Sequence, residues 1–331
     1  MGPPRRNPPD GREFHSATGD GIAVNRVTRM RWEDFRTSSN VEDRRGSGMG
    51  GGGGGFGIPM GGGGLGIGTM VVLGLVGWAL GIDPRILIGG AEMLNRGGGS
   101  SYQQQAPAPS GRQGAPSDEV GRFASAILGN TEDVWKEVLP AQANKQYTPT
   151  PMVLYSGGTR SGCGVARSAM GPFYCPLDKK VYLDTAFFQE MQRRFRAGGD
   201  FAYAYVIAHE VGHHVQDVMG ILGRVQSRQR EVGEAESNQL SVRIELMADC
   251  LAGVWAKNSN QRFNAIDEND VRQAVAAAQA IGDDRLQRQS QGEVVPDSFT
   301  HGSSEQRVRW LLTGFKSGQM QSCDTFRTSR L

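Results

Sequence analysis

The apolar and polar positions of residues 201–220 predict an amphipathic helix. On a helix of about 100° per residue, His209 and His213 lie about 40° apart on one side. Gly212 shares that side and leaves room around the two imidazole rings. The apolar positions cluster on the opposite side, which would face a core: Ala204, Ile207, Ala208, Val211, Val215 and Val218. The segment therefore predicts a helix that presents two histidines together.

A second segment, residues 240–256, repeats this pattern with acidic residues. Glu245 and Asp249 are four positions apart and share one side of the predicted helix. The apolar positions lie on the other side: Leu240, Ile244, Met247, Leu251 and Val254. Small side chains flank the acidic side: Ser241, Ala248 and Ala252. Small residues there would let two helices approach closely, which predicts that the acidic pair faces the histidine pair.

Shorter patterns predict the remaining elements of the folded part. Ser117 is a candidate N-cap for one helix, because Asp118 and Glu119 follow it in the first turn. Thr131 is a candidate N-cap for a second short helix that ends at Pro140. Three further elements are predicted: strands at residues 151–158 and 179–184, and a helix at residues 271–281.

The first third of the chain has a composition that predicts no core. Residues 1–64 are rich in polar residues and glycine and are expected to be disordered, with a glycine-dense spacer at their end. Residues 65–82 carry no charge and are long enough for a single transmembrane helix. Residues 83–116 include a Gly/Ser/Gln/Pro-rich stretch and are expected to form a flexible linker. This leaves residues 117–331 as the folded domain. Met30 is a candidate initiator within the first segment.

The charges beside residues 65–82 favour one membrane orientation. Arg44 and Arg45 precede the segment and Arg85 follows it, so the positive-inside rule weakly favours a cytoplasmic N-terminus. All four cysteines come after residue 160, as expected of a half of the chain that forms disulfides outside the cytoplasm. We therefore expect a single-pass protein of the cell membrane with an extracytoplasmic (periplasmic) C-terminal domain.

The cysteines have two candidate pairings and two alternatives. Cys163 and Cys175 are twelve positions apart in a glycine-rich loop, which a bond between them would staple. Cys250 is then the most plausible partner of Cys323 near the C-terminus. Buried free thiols are one alternative, and zinc ligands another, which is disfavoured because no C-x-x-C occurs.

The charge balance bears on possible partners. The 331-residue chain has a net charge of +2, from 36 Lys and Arg against 34 Asp and Glu. No basic cluster is present, whereas a nucleic-acid binder usually shows one. We therefore expect no nucleic-acid partner.

The histidine helix contains the pattern H-E-x-x-H at His209, Glu210 and His213. Two histidines at this spacing can bind one metal ion, and Glu210, about 100° from His209, could accept a proton without being a ligand. The pattern has only three fixed positions, so two surface histidines are the alternative. The apolar stripe opposite the pair favours the metal site.

A catalytic zinc site needs a third protein ligand. The metzincin extension is excluded, because Gln216 and Met219 stand where glycine and histidine would be required. Glu245 is the expected third ligand, and Asp249 could accept a hydrogen bond from a ligating imidazole. The alternative is that both carboxylates lie on the solvent-exposed side of the helix and bind no metal. Three rival glutamates lie in a polar run without a core stripe: Glu231, Glu234 and Glu236.

Several long motifs resemble one bacterial family, the putative neutral zinc metallopeptidases. These are AHEVGHHVQ, ELMADCLAGVWA, PFYCPLDKKVYLDTAFF, SGCG, DSFTHGSSEQRVRW and MRWEDFRTSSNVEDRRG, which together span roughly residues 30–323. The resemblance implies a Gly-rich membrane anchor and a zincin-like, gluzincin-type fold. It also implies that Glu210 is the base and that His209, His213 and Glu245 bind Zn²⁺.

His301 and Arg307 also resemble part of that enzyme class. A similar pair follows the glutamate helix in membrane-associated gluzincins, where it resembles a transition-state-binding element. A contact at a helix N-terminus is an equal alternative for His301.

Two functions therefore remain open. The first is a membrane-anchored zinc metallopeptidase with an α+β catalytic domain, whose peptide or protein substrate lies extended along residues 179–184. The second is a zinc-bound scaffold without activity that holds a partner at the membrane.

Overall fold

The computed structural model describes Gly2, residues 30–46 and residues 111–331. These residues form an α+β fold, as predicted. Eight α-helices occur in this part of the chain: α1 Glu119–Ala143, α2 Ala186–Phe195, α3 Asp200–Val218, α4 Ile221–Gln229, α5 Glu234–Phe263, α6 Glu268–Ala280, α7 Asp283–Gln291 and α8 Ser304–Ser317. The strands are β1 Val41–Asp43, β2 Arg112–Gln113, β3 Met152–Tyr155, β4 Gly158–Ser161, β5 Gly164–Arg167, β6 Phe173–Cys175 and β7 Lys180–Asp184.

Five of the strands form one sheet in the order β2-β1-β3-β7-β6. The three central strands are parallel, and the two edge strands run antiparallel to their neighbours. One face of the sheet joins the helical core through Met152, Leu154, Tyr174, Val181 and Leu183. The opposite face packs under the β4–β5 hairpin, to which a disulfide between Cys163 and Cys175 ties strand β6.

Residues 30–46 belong to the folded domain, so the prediction that residues 1–64 are disordered is wrong for this segment. Met30, Trp32 and Phe35 are buried in the helical core. Strand β1 lies between β2 and β3, and β2 in turn includes residues that the predicted linker 83–116 contains. A three-residue strand beside a glycine spacer gives no detectable periodicity, which is why the sequence pattern misses it.

The buried carboxylate of Glu42 fixes this segment to the rest of the domain. Its oxygens accept hydrogen bonds from Arg44, Lys180 and the backbone N–H of Gly111. Burial alone would raise the pKa of Glu42, but these donors lower it to about 2. The side chain of Arg44 also donates to the carbonyl of Arg160 in the β4–β5 hairpin.

The sheet bears on the predicted membrane topology. Among the described residues, no helix is long and apolar enough to cross a bilayer, and the predicted transmembrane helix at residues 65–82 lies outside them. A single crossing between residues 46 and 111 would separate β1 from β2 and β3, yet these strands are hydrogen-bonded neighbours. A cytoplasmic location for residues 30–46 therefore does not fit an extracytoplasmic domain.

Helix α1 replaces the two short helices that the sequence predicts. Its N-cap is Asp118, whose side chain accepts a hydrogen bond from the N–H of Gly121. Thr131 does not cap a second helix, because its hydroxyl donates to the carbonyl of Leu128 within the same helix. Pro140 lies in the last turn of α1, where the helix continues for three more residues to Ala143.

Helices α5 and α8 pack at very short range. A Cβ atom on Gly253 would overlap the backbone of Leu311, and one on Gly314 would overlap the carbonyl of Cys250. The predicted disulfide between Cys250 and Cys323 is present beside this contact. The C-terminal segment is thereby held against the helix that carries Glu245.

Candidate metal centre

His209 and His213 on α3 meet Glu245 on α5 in a buried cluster. Nε2 of His209 lies 3.1 Å from Oε2 of Glu245, and Nε2 of His213 lies 3.4 Å from Oε1. Ligand atoms of the three residues lie within 4.8 Å of one another. The helices can approach this closely because Gly212 has no side chain. A Cβ atom at that position would lie 3.1 Å from the backbone of Ala248. The histidine side of α3 therefore faces α5.

The spacing of these atoms fits a zinc ion. Zinc bound tetrahedrally with bonds of 2.0–2.2 Å requires ligand atoms about 3.4 Å apart. The two nitrogen-to-oxygen distances, 3.1 and 3.4 Å, lie close to that value. Two neutral imidazoles and one carboxylate are also a donor set that catalytic zinc uses. The remaining pair of ligand atoms lies within 4.8 Å, so a bound zinc ion would require these side chains to draw closer together.

Asp249 holds His209 in the required orientation, as the sequence predicts. Its Oδ1 lies 2.8 Å from Nδ1 of His209, which directs Nε2 towards the cluster. Oδ1 also accepts a hydrogen bond from the hydroxyl of Tyr205 at 2.5 Å. Arg307 donates to Oδ2 through Nε and to Oδ1 through a second nitrogen, both at 2.9 Å. Burial alone would raise the pKa of Asp249, but Arg307 and His209 lower it.

Gln216 orients the second histidine and is not predicted for this role by the sequence. Its Oε1 lies 3.0 Å from Nδ1 of His213, and its amide nitrogen donates to the carbonyl of Ile244 at 2.7 Å. The second bond fixes which amide atom faces the imidazole. A signal exists in the sequence, because a glutamine three positions after His213 lies on the same helix face.

Glu210 lies beside the cluster without joining it. Its side chain is buried, and burial raises its pKa, against the opposing influence of His209 and His213. The nearby backbone of Tyr174 in strand β6 acts in the opposite direction and lowers the pKa of Glu210. Tyr174 is a further residue that sequence patterns did not single out.

His301 lies near the cluster in a fixed orientation. Its Nδ1 lies 3.1 Å from Oδ1 of Asp283, whose Oδ2 accepts the backbone N–H groups of Thr300, His301 and Gly302. Burial lowers the pKa of His301, but Asp283 and then Glu245 raise it, so that the net shift is upward. The guanidinium of Arg307 is buried against Asp249.

The rival glutamates lie outside the metal cluster. Glu231, Glu234 and Glu236 are exposed at the end of α4 and the start of α5. Two of them form surface ion pairs with Arg228.

Comparisons with known proteins place the chain in one family. Residues 30–326 match the family described as "putative neutral zinc metallopeptidase". The chain belongs to this family. An uncharacterized Escherichia coli protein, YpfJ, is 47% identical over 300 residues, which cover 91% of this chain and all of that protein. An uncharacterized Mycobacterium tuberculosis protein, Rv2575, is 43% identical over 231 residues, which cover 66% of this chain and 75% of that protein. No solved structure matches the chain.

Membership of a zinc metallopeptidase family agrees with the charges at the cluster. Burial lowers the pKa of His209, but Asp249 and Glu245 more than offset this and raise it to about 10. Burial would also raise the pKa of Glu245, yet the adjacent histidines bring it well below its ordinary value. The carboxylates thus strongly stabilise a positive charge at Nε2 of His209. A bound zinc ion would supply that positive charge in place of a proton.

The free edge of the sheet lies next to Glu210. Strand β7 is interior, between β3 and β6, so the prediction that a peptide pairs with residues 179–184 is wrong. Strand β6 is the edge strand instead. The backbone of its Tyr174 lies close enough to Glu210 to influence the pKa of that carboxyl group.

Proposed function

We propose that this protein is a zinc-dependent metalloendopeptidase in which Glu210 is the general base. The observation that carries the proposal is the buried cluster of His209, His213 and Glu245, with ligand atoms within 4.8 Å of one another. Family membership implies the metal, and the buried carboxylate of Glu210 beside the ligands supplies the acid–base group. A site that only stored zinc would have no use for that carboxylate.

Each residue around the site has a defined part in the proposed reaction. Zinc, when bound, supplies a Lewis acid that polarises a peptide carbonyl and lowers the pKa of water towards about 7. Glu210 accepts a proton from the attacking water and delivers it to the leaving amine. Its burial raises its pKa and so brings its proton affinity nearer to neutral pH. His301, held through Nδ1 by Asp283 and with a raised pKa, would donate a hydrogen bond from Nε2 to the developing oxyanion.

The proposed substrate is an extended peptide that adds to the free edge of strand β6. Strand β6 spans only Phe173–Cys175 and is flanked by Pro172 and Pro176. Proline has no N–H, so neither flanking residue can donate a backbone hydrogen bond to a peptide. A bound peptide would therefore pair mainly by donating its own N–H groups to carbonyls of β6.

The proposed location of the domain is extracytoplasmic. Disulfides at Cys163–Cys175 and Cys250–Cys323 support it, because such bonds persist mainly in oxidising compartments. Residues 30–46 would lie on the same side, since β1 is part of the sheet. The membrane helix at residues 65–82 stays a prediction, and a single crossing there would put β1 and the strands that it pairs with on opposite sides of the membrane.

Turnover by a base-deficient variant tests the proposed function. Wild-type protein and Glu210→Gln are purified with zinc and incubated with casein and a broad peptide library. We expect both proteins to hold zinc, and activity to fall by about 10²–10⁴-fold in the variant. Zinc in both proteins with no cleavage by either would favour the non-catalytic scaffold. Equal cleavage by both would exclude Glu210 as the base.

A further inference from the structure

The backbone nitrogen of Met30 lies in the interior of the domain beside a carboxylate. It donates a hydrogen bond to Oδ1 of Asp270 at 3.1 Å. Met30 is 0% exposed and Asp270 is 1% exposed. The two residues are 240 positions apart, so the contact depends on the tertiary fold.

Asp270 lacks a cationic partner among the described residues. It is in the first turn of α6, and Oδ2 accepts the backbone N–H of Asp267 at 3.0 Å in a capping box. Among the described residues, both donors to the carboxylate are thus neutral N–H groups. Burial of Asp270, together with the negative charges of Asp267 and Asp200, raises its pKa to about 6. A positive charge at the Met30 nitrogen would offset the free-energy cost of burying Asp270 in its charged form.

Three further considerations single out residue 30. The family match begins at this residue. The Escherichia coli protein is matched over its whole length by 91% of this chain. Methionine is also the residue that initiates translation, and the large side chain of Arg31 in the next position would disfavour its removal by methionine aminopeptidase.

We propose that the working chain carries its α-amino group on Met30 and that this ammonium forms a buried ion pair with Asp270. The nitrogen already lies at hydrogen-bonding distance from Oδ1, so the pair requires no movement of either residue. A charged ammonium would form a stronger hydrogen bond to the carboxylate than a peptide N–H does.

The ion pair would connect the N-terminus to the helix that carries the histidines. Helix α6 holds Asp270 and, one turn later, Gln273. Oε1 of Gln273 accepts the backbone N–H of Phe201 in the first turn of α3 at 3.2 Å. The N-terminus would therefore help to fix the start of α3, eight positions before His209.

The first test is the intact mass and N-terminal sequence of the protein purified from its native host. We expect a chain that begins at Met30 with an unmodified α-amino group. A chain that retains residues before Met30, or whose Met30 nitrogen is acylated, would overturn the proposal.

The second test measures the coupling between the ammonium and Asp270. Four chains are compared by thermal unfolding: residues 30–331, the same chain with Gly-Ser placed before Met30, and both of these with Asp270→Asn. We expect the extension to lower the melting temperature by at least about 2–4 °C when Asp270 is present. With Asn at position 270 the extension should have much less effect. An equal effect in both backgrounds would show that no ion pair forms.

Discussion

Arg307 is hydrogen-bonded to Asp249, and its guanidinium donates one hydrogen bond to each oxygen of that carboxylate. Asp249 in turn holds Nδ1 of His209. Both charged side chains are buried, so each depends on the other for compensation of its charge. Arg307 is thus a positioning residue for a proposed metal ligand.

Removal of the Arg307 guanidinium should weaken zinc binding without changing any ligand. Arg307→Ala would leave Asp249 buried without its cation, so we expect about 10- to 100-fold lower zinc affinity. Arg307→Lys keeps the charge but cannot make the two-point contact, and its affinity should be intermediate. Competition with a chelator measures both values. Unchanged affinity in Arg307→Ala would show that Asp249 needs no support.

The sequence predicts the parts of this centre that depend on helix periodicity. Helical spacing places His209 with His213 and Glu245 with Asp249, and the fold brings the pairs together as predicted. The support from Arg307 is not predictable in this way, because its contact with Asp249 spans 58 positions.

The parts that sequence patterns miss depend on contacts between distant segments. The bond between His301 and Asp283 joins residues 18 positions apart, at the start of helix α7 and beyond the irregular segment that follows it. Strand β1 has only three residues, and it acquires its role from partners that follow the glycine spacer in the chain.

The pH dependence of activity should reveal the influence of Asp283 on His301. Asp283 raises the pKa of His301, so the charged donor persists to higher pH than an ordinary histidine would allow. Activity that needs this charge is lost as pH rises through the pKa. In Asp283→Asn that pKa falls, so we expect the alkaline loss of kcat to begin at lower pH.

The measurement is a comparison of the pH–rate profiles of wild type and Asp283→Asn. His301→Ala is the control, and its profile should lack the alkaline limb, which is the loss of kcat at high pH. An unshifted limb in Asp283→Asn, or a limb that persists in His301→Ala, would exclude His301 as the charged donor.

Residues 30–46 should share one side of the membrane with the rest of the domain. Ser39 and Gln146 are both exposed, so thiols introduced by Ser39→Cys and Gln146→Cys would be accessible to reagents. We expect a membrane-impermeant maleimide to label both positions in intact cells with a permeabilised outer membrane. Labelling of position 146 alone, with position 39 protected until lysis, would contradict the pairing of β1 with β3.

The close contact between α5 and α8 should not tolerate a methyl group at Gly314. A Cβ atom there would overlap the carbonyl oxygen of Cys250, so we expect Gly314→Ala to lower the free energy of unfolding by about 1–3 kcal/mol. Gly223 in α4 is the matched control, because its Cβ would meet nothing within 4 Å. Gly223→Ala should be neutral or stabilising by up to about 1 kcal/mol. Chemical denaturation measures both, and equal values would argue against tight helix packing.

The zinc content of Glu245→Ala tests the proposed metal centre most directly. Glu236→Ala is the control, because Glu236 is on the same helix but exposed and paired with Arg228. Both variants are purified with zinc, passed through a desalting column and analysed for metal. We predict about one zinc per chain in wild type and in Glu236→Ala, and almost none in Glu245→Ala. Stoichiometric zinc in Glu245→Ala would contradict a centre built from His209, His213 and Glu245.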